Sequence, residues 1–327
     1  MLSGGCRFTI VGGTTLLTAA LLIIENRQFQ WNSATIRMKF RKIEFPESQL
    51  IEFSEAETLA NNCSTIIHFL MVTKNPTLSG RQQCSIDSAT NLNPDSCIFF
   101  WSKIPMENLP TAPNIFPTKL DKHNLLKNTP LQTLLDSDRI LKSKFRQHHL
   151  TDALRLATLF KFGGIYLDSD MISLKNFAAT AANFNFGYQN PQNTIANNAF
   201  LQFSLGHPFL YFAMRSYVLE FQDEWGHQGP TLITSVWKKY ESLQRENNLF
   251  PNVSAARNSV FYPVPWPLAM AIFQNRSNFT AKGIEETSVT LHLWNKFTEK
   301  AEVKPGSILE TLARKLCPNH AVNFTVF

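Results

Sequence analysis

The chain has 327 residues, of which 44% are hydrophobic and 17% are charged. This composition excludes a disordered protein and a coiled coil, and the 27 phenylalanines and 6 tryptophans provide enough apolar area for one large core. The net charge of +6 suits an anionic small ligand or a lipid headgroup surface. The basic runs are short and accompany no nucleic-acid-binding motif, so we expect no nucleic acid as a partner.

An uncharged segment at residues 8–24 is the main feature of the N-terminus. Its length is at the short limit for a membrane-spanning helix and exceeds most signal-peptide cores, so a retained signal anchor is favoured over a cleaved signal. More basic residues follow the segment than precede it, and that count alone favours a cytoplasmic location for the rest of the chain. The glycosylation triplets and cysteines described next favour a luminal location instead. We therefore expect a cytoplasmic tail at 1–7, a transmembrane signal anchor at 8–24, a stem at 25–60 and a luminal domain at 61–327.

Glycosylation triplets and cysteines both indicate a secretory route. Five asparagines beyond the apolar segment occupy N-glycosylation acceptor triplets: Asn62, Asn252, Asn275, Asn278 and Asn323. Four cysteines on the same side are an even number without zinc-site spacing, which is typical of structural disulfides. They are Cys63, Cys84, Cys97 and Cys317, and three pairings remain open.

From residue 64 onward, short apolar runs alternate with helical patterns. In chain order, the pattern predicts a strand at 64–70, a helix at 81–92, a strand at 97–101, a helix at 150–162 and a strand at 165–167. It then predicts a strand at 199–203, helices at 208–221 and 231–240, a strand at 289–294 and a helix at 308–316. Thr151 is expected to cap the helix at 150–162, and Gly163-Gly164 to end it. Such alternation predicts an α/β domain with a mainly parallel sheet.

The triplet Asp168-Ser169-Asp170 follows the strand at 165–167. Alternate residues at the end of a strand project to the same side, so both carboxylates can bind one cation, and ligands bind at that edge of α/β sheets. Oxygen ligands of this kind suit Mg²⁺ or Mn²⁺ carrying a diphosphate. The triplet Asp136-Ser137-Asp138 has the same letters in a predicted surface turn, and there a solvated acidic pair is the better interpretation.

Asp152 and Arg155 lie three residues apart on the helix that leads to this triplet. They share a face of the helix away from its main apolar stripe, where they can hydrogen-bond sugar hydroxyls. Their spacing alone fits a surface ion pair slightly better.

The whole run DALRLATLFKFGGIYLDSD at 152–170 resembles the signature of glycosyltransferase family 32, Asp-x-x-Arg followed by Gly-Gly-x-Tyr-x-Asp-x-Asp. Four later segments resemble the α1,4-glycosyltransferase branch of that family: NNAFLQF, WGHQGP, FYPVPW and LHLWNK. The resemblance covers roughly residues 62–327 and implies a GT-A type nucleotide-sugar-binding fold. It also implies a single-pass type II protein of the Golgi membrane with its catalytic domain in the lumen.

The resemblance implies roles for the residues at matching positions. Asp168 and Asp170 would hold Mn²⁺ on the diphosphate of a UDP-sugar, and His292 would complete the metal site. Without the resemblance, a lone histidine on an apolar strand is more often a core residue. Donor-sugar binding is implied for Asp152, Arg155, Tyr166 and Asn197, and contact with the diphosphate or the acceptor for Trp294, Lys296 and Trp266. Gln228 would lie near the reacting carbon, although Gly229-Pro230 is also a good helix-starting turn.

The function that these residues imply is that of a retaining, UDP-sugar-dependent hexosyltransferase. We expect transfer of galactose or N-acetylgalactosamine in α1,4 linkage to the terminal sugar of a glycosphingolipid. No acid is placed as a covalent nucleophile, which favours front-face displacement over double displacement. The alternatives are an α1,4-N-acetylglucosaminyltransferase that acts on glycoproteins, or a non-catalytic lectin or chaperone of the secretory pathway. A calcium-binding module lacks further acidic ligands near the triplet.

Overall fold

The computed structural model describes residues 50–134, 137–246, 250–275 and 277–318. The expected tail, signal anchor and most of the stem lie outside these residues, as does Asn323. All described residues belong to one compact unit, residues 43–327. None of the helices in the described ranges is long and apolar enough to cross a membrane.

Ten strands are present in the described residues: β1 Ile66–Met71, β2 Cys97–Ser102, β3 Ile115–Lys119, β4 Gly164–Leu167, β5 Met171–Ser173, β6 Phe186–Tyr188, β7 Ala196–Asn197, β8 Phe200–Phe203, β9 Ala255–Ala256 and β10 Thr290–His292. The central sheet has the order β3-β2-β1-β4-β8. Its first four strands are parallel and β8 is antiparallel to β4. The mainly parallel sheet predicted from the sequence is therefore confirmed.

The same ranges contain eleven α-helices: α1 Phe53–Ala60, α2 Gly80–Leu92, α3 Lys122–Leu126, α4 Arg146–Phe162, α5 Phe177–Thr180, α6 Pro208–Leu219, α7 Leu232–Glu246, α8 Asn258–Phe261, α9 Ala281–Thr287, α10 Asn295–Thr298 and α11 Ile308–Leu316. Two 3₁₀ helices span Pro130–Leu134 and Trp266–Ile272, and one π-helical turn spans His227–Thr231. Helix α1 lies at the end of the expected stem, where Phe53 packs on Phe162 of α4.

The central sheet is covered on both faces, which explains why β1 and β2 are buried along their whole length. Alternate residues of each strand enter different apolar layers, as the two-residue period of a strand requires. In β1, Ile67 and Phe69 join the layer that contains α2 and α11. Ile66 and Leu70 join the opposite layer, which contains α4 and α6.

Helix α4 begins one turn earlier than the sequence predicts, so the prediction of Thr151 as its cap was wrong. The Thr151 hydroxyl lies inside the helix and donates to the carbonyl of Gln147. The earlier start is stabilised by His149, which is buried and hydrogen-bonded to Ser143. The end is as predicted, because Gly163 and Gly164 have φ of +67° and +91°.

Two disulfides connect the four cysteines of the described residues. Cys63, which precedes β1, pairs with Cys97 at the start of β2. Cys84 of α2 pairs with Cys317, just after α11. Both bonds and both apolar layers lie within residues 43–327, so this unit has a complete core of its own and can fold without residues 1–42.

Candidate active site

The acidic triplet forms a tight turn between β4 and β5, at the carboxyl edge of the central sheet. The backbone N–H of Asp168 donates to the carbonyl of Ala199 at 2.8 Å, just before β8. The carbonyl of Asp168 accepts from the N–H of Met171 at 3.0 Å, so the chain turns at once into β5. Both carboxylates are thereby held at the end of a buried strand.

His292 is brought to the triplet by a second, two-stranded ladder. Strand β10 runs antiparallel to β5 and pairs His292 with Met171. The N–H of Leu293 donates to the carbonyl of Asp170 at 3.0 Å. As a result, Nε2 of His292 lies 3.2 Å from Oδ1 of Asp170. Ligand atoms of Asp168, Asp170 and His292 lie within 4.8 Å of one another, so the three residues predicted to bind the metal do meet.

The chemistry of this group fits a divalent cation. Two carboxylates and one imidazole form a set of donors that Mn²⁺ accepts. Nδ1 of His292 is buried without a hydrogen-bond partner among the described residues, and its Nε2 faces the carboxylate. Burial opposes ionisation of Asp170, but His292 and the backbone N–H of Asn295, 2.8 Å from Oδ2, outweigh it and hold the pKa of this carboxyl below its ordinary value. Asp170 is therefore an anion, as a metal ligand must be.

Asp152 and Arg155 are buried and connect directly to the triplet. Nη2 of Arg155 lies 3.2 Å from Oδ1 of Asp152, and Nη1 lies 3.0 Å from Oδ1 of Asp168. Asp152 and Arg155 therefore form a buried ion pair linked to Asp168, and not the surface ion pair that their spacing alone suggests. Burial raises the pKa of Asp152, and the nearby Arg155 opposes that rise. For Arg155, burial disfavours the cation, but Asp168, Tyr166 and Asp152 together raise its pKa.

Tyr166 also belongs to this network, because it contacts both Asp168 and Arg155. Its hydroxyl donates to Oδ1 of Asp168 at 2.6 Å, and its ring lies 4.6 Å from the guanidinium carbon of Arg155. Burial raises the pKa of the phenol well above its ordinary value, so the hydroxyl stays protonated and remains a donor. Contact with the donor sugar stays a prediction for Tyr166, whose side chain is almost fully buried.

Asn198 contacts the network, and sequence reasoning missed it in favour of its neighbour Asn197. The side-chain amide of Asn198 donates to Oδ1 of Asp152 at 2.8 Å, and the backbone carbonyl of Asn198 accepts from Nη1 of Arg155 at 2.7 Å. The Asn197 amide instead donates to Gln189 and accepts from the N–H of Ala199. A donor-sugar role for Asn197 remains a prediction. Successive residues of an extended chain point to opposite sides, which the letters Asn-Asn do not resolve.

The π-helical turn at His227–Thr231 packs against Asn198 and Asp152. A Cβ on Gly229 would lie 3.0 Å from Nδ2 of Asn198 and 3.3 Å from Oδ1 of Asp152, so glycine permits the close approach. The preceding residue, Gln228, is buried and its amide donates to the carbonyl of Tyr217 at 3.3 Å. Its placement near a reacting carbon stays a prediction.

The three residues expected at the diphosphate or the acceptor have different environments. Trp294 is buried, has φ of +57°, and donates from its indole to the carbonyl of Val264 at 2.8 Å. Lys296 is exposed, and its Nζ lies 5.9 Å from the ring of Trp225. Trp266 is exposed. Their roles remain predictions.

Arg81 supports the metal group from α2, and no sequence motif indicates it. Its Nη1 donates to Oδ1 of Asn295 at 3.1 Å and to the carbonyl of Thr298 at 2.7 Å. The guanidinium also lies 4.5 Å from the ring centre of Phe273. Because the N–H of Asn295 binds Asp170, Arg81 fixes the segment that orients this carboxylate.

A buried Asp-Asp-His group at the edge of a parallel sheet, joined to an Asp–Arg pair, defines a DXD-type glycosyltransferase. Two family models agree: "Glycosyltransferase sugar-binding region containing DXD motif" matches residues 79–198, and "Alpha 1,4-glycosyltransferase conserved region" matches 202–323. The chain belongs to glycosyltransferase family 32, in its α1,4-glycosyltransferase branch. The family implies a hexosyltransferase with a nucleotide-sugar donor and usually a divalent cation.

Two named relatives have similar identity to this chain. Lactosylceramide 4-alpha-galactosyltransferase of Mus musculus is 31% identical over 252 residues, which cover 72% of this chain and 69% of that protein. Alpha-1,4-N-acetylglucosaminyltransferase of Homo sapiens is 31% identical over 265 residues, which cover 72% and 73%. Among solved structures, the PaToxG glycosyltransferase superposes with a TM-score of 0.41 at 16% identity, over 59% of this chain and 77% of that one.

Proposed function

We propose that this protein transfers galactose or N-acetylgalactosamine from UDP, in α1,4 linkage and with retained configuration, to the terminal sugar of a glycosphingolipid. The observation that carries the proposal is the buried group of Asp168, Asp170 and His292, connected through Arg155 to Asp152. A relative named for lactosylceramide supports a glycolipid acceptor. The equal identity to an α1,4-N-acetylglucosaminyltransferase makes UDP-N-acetylglucosamine the second candidate donor.

The chain's own residues suit such a transfer. A Mn²⁺ ion held by Asp168, Asp170 and His292 would supply positive charge to offset the departing diphosphate. Tyr166 and Arg155 both contact Oδ1 of Asp168 and so fix the orientation of that ligand before substrate arrives.

Front-face displacement is the mechanism that we propose. A double displacement needs a carboxylate free to attack the sugar carbon. Oδ1 of Asp152 is already ion-paired with Arg155 and accepts from the Asn198 amide, which suits this residue to orienting a sugar hydroxyl rather than to attack. In the front-face reaction, the acceptor hydroxyl attacks on the same side as the leaving phosphate, and a phosphate oxygen takes its proton.

The test is UDP release by residues 43–327 with each of the three UDP-sugars, with and without a glycolipid acceptor. Asp170→Asn should lower acceptor-dependent release by at least about 100-fold and keep the unfolding midpoint. Asp138→Asn is the matched control, because the chain has the same Asp-Ser-Asp letters there and Asp138 is a solvent-exposed partner of Lys142. Normal turnover by Asp170→Asn would disprove the metal assignment, and absence of UDP binding by the wild type would support a lectin or chaperone.

We also propose a type II orientation in the Golgi membrane with the C-terminal body in the lumen. The uncharged segment at 8–24 supports an anchor. The glycosylation acceptors Asn62, Asn252, Asn275 and Asn278 support a luminal body, because all four side chains are exposed. A C-terminal tag on the full chain should be protected from protease in sealed microsomes. Digestion of the tag in sealed microsomes without detergent would contradict the proposal and indicate the opposite orientation.

A further inference from the structure

Three exposed aromatic side chains form one cluster. The ring centre of Phe297 lies 5.7 Å from that of Trp225 and 5.1 Å from that of Trp266. Each of the three is 43–46% exposed, and they come from three separate segments of the chain. Across the part of the chain that the structure describes, they are the only large aromatic side chains that are exposed. Such a concentration on one surface marks a contact with something outside the fold.

The exposed surface continues along the 3₁₀ helix that begins at Trp266. Ala269 and Ile272 of this helix are buried in the core, whereas Pro267, Leu268 and Met270 face solvent. Leu268 is 52% and Met270 is 47% exposed. The solvent side of the helix therefore carries no polar side chain from 266 to 270. We call Trp225, Trp266, Pro267, Leu268, Met270 and Phe297 the apolar rim.

The apolar rim is attached to the metal group at two points. The N–H of Asn295 binds Asp170, and Phe297 follows two residues later. The ring centre of Trp294 lies 4.1 Å from that of His292, its indole N–H donates to the carbonyl of Val264, and Trp266 follows two residues after Val264. Any surface that contacts the rim therefore lies beside the residues proposed to contact the diphosphate.

We infer that the apolar rim rests on the lipid surface that presents the glycolipid acceptor, an inference that depends on the proposed function for its acceptor. A sugar-binding surface needs polar side chains for hydroxyl groups, and the solvent side of the 3₁₀ helix provides none. Trp, Phe, Leu and Met are instead the side chains that enter the interface of a bilayer. Lys296, exposed beside Trp225, adds a cation for lipid phosphates.

The rest of the chain is compatible with this contact. Residues 25–49 connect the proposed anchor to the first described residue and extend to at most about 80–90 Å, which allows the body to turn the rim toward the bilayer. The rim also has a polar boundary, because Asn275 and Asn278 line a groove with Leu268. Glycans on these two residues would mark the edge of the contact.

The test is binding of residues 43–327 to phosphatidylcholine vesicles at physiological salt, without donor or acceptor. The wild type should float with the vesicles. Leu268→Gln should weaken the vesicle affinity about threefold, and the double variant with Met270→Gln at least about tenfold. Leu205→Gln is the matched control, since Leu205 is 42% exposed and packs against Gly163, at the opposite end of β4 from Asp168. The unfolding midpoints should not change.

A second measurement separates a lipid contact from a sugar contact. For lactosylceramide in vesicles, kcat/KM should fall about tenfold in the double variant, and for free lactose it should not change. Equal vesicle binding by the wild type and the double variant would overturn the proposal. So would an equal fall of kcat/KM for both acceptors in Phe297→Ser, which would identify the rim as a glycan site. Failure of the enzyme to transfer any sugar leaves the vesicle result unaffected, so the two proposals fail separately.

Discussion

Arg155 of α4 holds Asp168 across the site through an ion pair of 3.0 Å. The same guanidinium contacts Asp152 at 3.2 Å and donates to the carbonyl of Asn198. A planar guanidinium reaches these partners from two nitrogens, Nη1 and Nη2, whereas an ammonium group has a single nitrogen and cannot lie beside both acids in the same way. Arg155 therefore couples the acid proposed for the donor sugar to the acid proposed for the metal.

Arg155→Lys should lower kcat/KM for the donor about 100-fold while the protein stays folded, because the bridge between the two acids is lost. Arg155→Met should also destabilise the fold by about 3 kcal/mol, since it leaves the buried carboxylate of Asp152 and the partly buried carboxylate of Asp168 without their cation. Urea unfolding and UDP release measure the two effects. Arg314→Lys is the control, because that side chain is 66% exposed in its pair with Glu310. Equal donor kinetics in Arg155→Lys and the wild type would remove Arg155 from the site.

Asn198→Ala should raise the donor KM about tenfold with a smaller effect on kcat. The variant removes the 2.8 Å hydrogen bond that orients Asp152 and leaves the metal group intact. The Mn²⁺ dependence should therefore not change. Asn197→Ala gives the comparison, since the amide of that residue binds Gln189 and not the acids. A larger rise of the donor KM in Asn197→Ala than in Asn198→Ala would restore the sequence-based assignment of Asn197.

Much of the fold could be predicted because apolar periodicity reflects burial directly. The helix predicted at 308–316 has the observed bounds, and α2 and β2 differ by one residue. The start of α4 could not be predicted, because it depends on a contact far away in sequence. His149 binds Ser143, and Ser143 donates to Asp223, beyond α6. No local pattern around Arg146 shows this contact.

The functional site also has residues that could be predicted from the sequence and residues that could not. The metal ligands Asp168 and Asp170 could be predicted from a motif whose spacing has a geometric meaning on a strand. His292 depended on family resemblance, because the pairing of β10 with β5 brings it into place. Asn198 and Arg81 were missed, since strand register and long-range packing determine their contacts. The disulfide pairing was open for the same reason.

The stability of the fold should decrease in mild acid through His68. Trp101 donates its indole N–H to Nδ1 at 3.1 Å, so Nε2 carries the proton and donates to the carbonyl of Gly163 at 3.0 Å. Burial lowers the pKa of His68 from 6.5 to about 4. Because the folded pKa is below the unfolded one, the stabilisation is complete above about pH 6.5 and is lost as the pH falls toward 4. Between pH 7.5 and 5.0 the loss is roughly 2 kcal/mol.

Urea unfolding at pH 7.5 and 5.0 measures this loss. Burial also lowers the pKa of His207 to about 4, so the two histidines together should cost the wild type roughly 4 kcal/mol over this interval. His68→Gln should retain about half of that difference, although it is less stable at both pH values. His123→Gln, at an exposed position, should retain all of it. An unchanged pH difference in His68→Gln would show that His68 is not responsible.

Arg81→Lys should weaken Mn²⁺ binding about tenfold and leave kcat nearly normal at saturating Mn²⁺. The reason is indirect: Arg81 fixes Asn295, and the N–H of Asn295 orients the carboxylate of Asp170. A lysine has one nitrogen in place of Nη1 and Nη2, so it loses the contact that Nη2 makes with the carbonyl of Ala301 and holds this segment less firmly. All metal-binding side chains remain. The measurement is UDP release as a function of Mn²⁺ concentration.

Arg139→Lys is the matched control for Arg81→Lys. Arg139 also donates to a backbone carbonyl, that of Val218, and its guanidinium also lies over a phenylalanine ring, that of Phe221. It has no contact with the segment that orients Asp170, so its Mn²⁺ dependence should match the wild type. If Arg81→Lys lowers kcat at saturating Mn²⁺ and keeps the wild-type Mn²⁺ dependence, Arg81 supports the fold in general and does not position Asp170. Recovery of kcat by added Mn²⁺ in Arg81→Lys distinguishes a positioning residue from a ligand, because Asp170→Asn lacks the anionic oxygen that the ion requires.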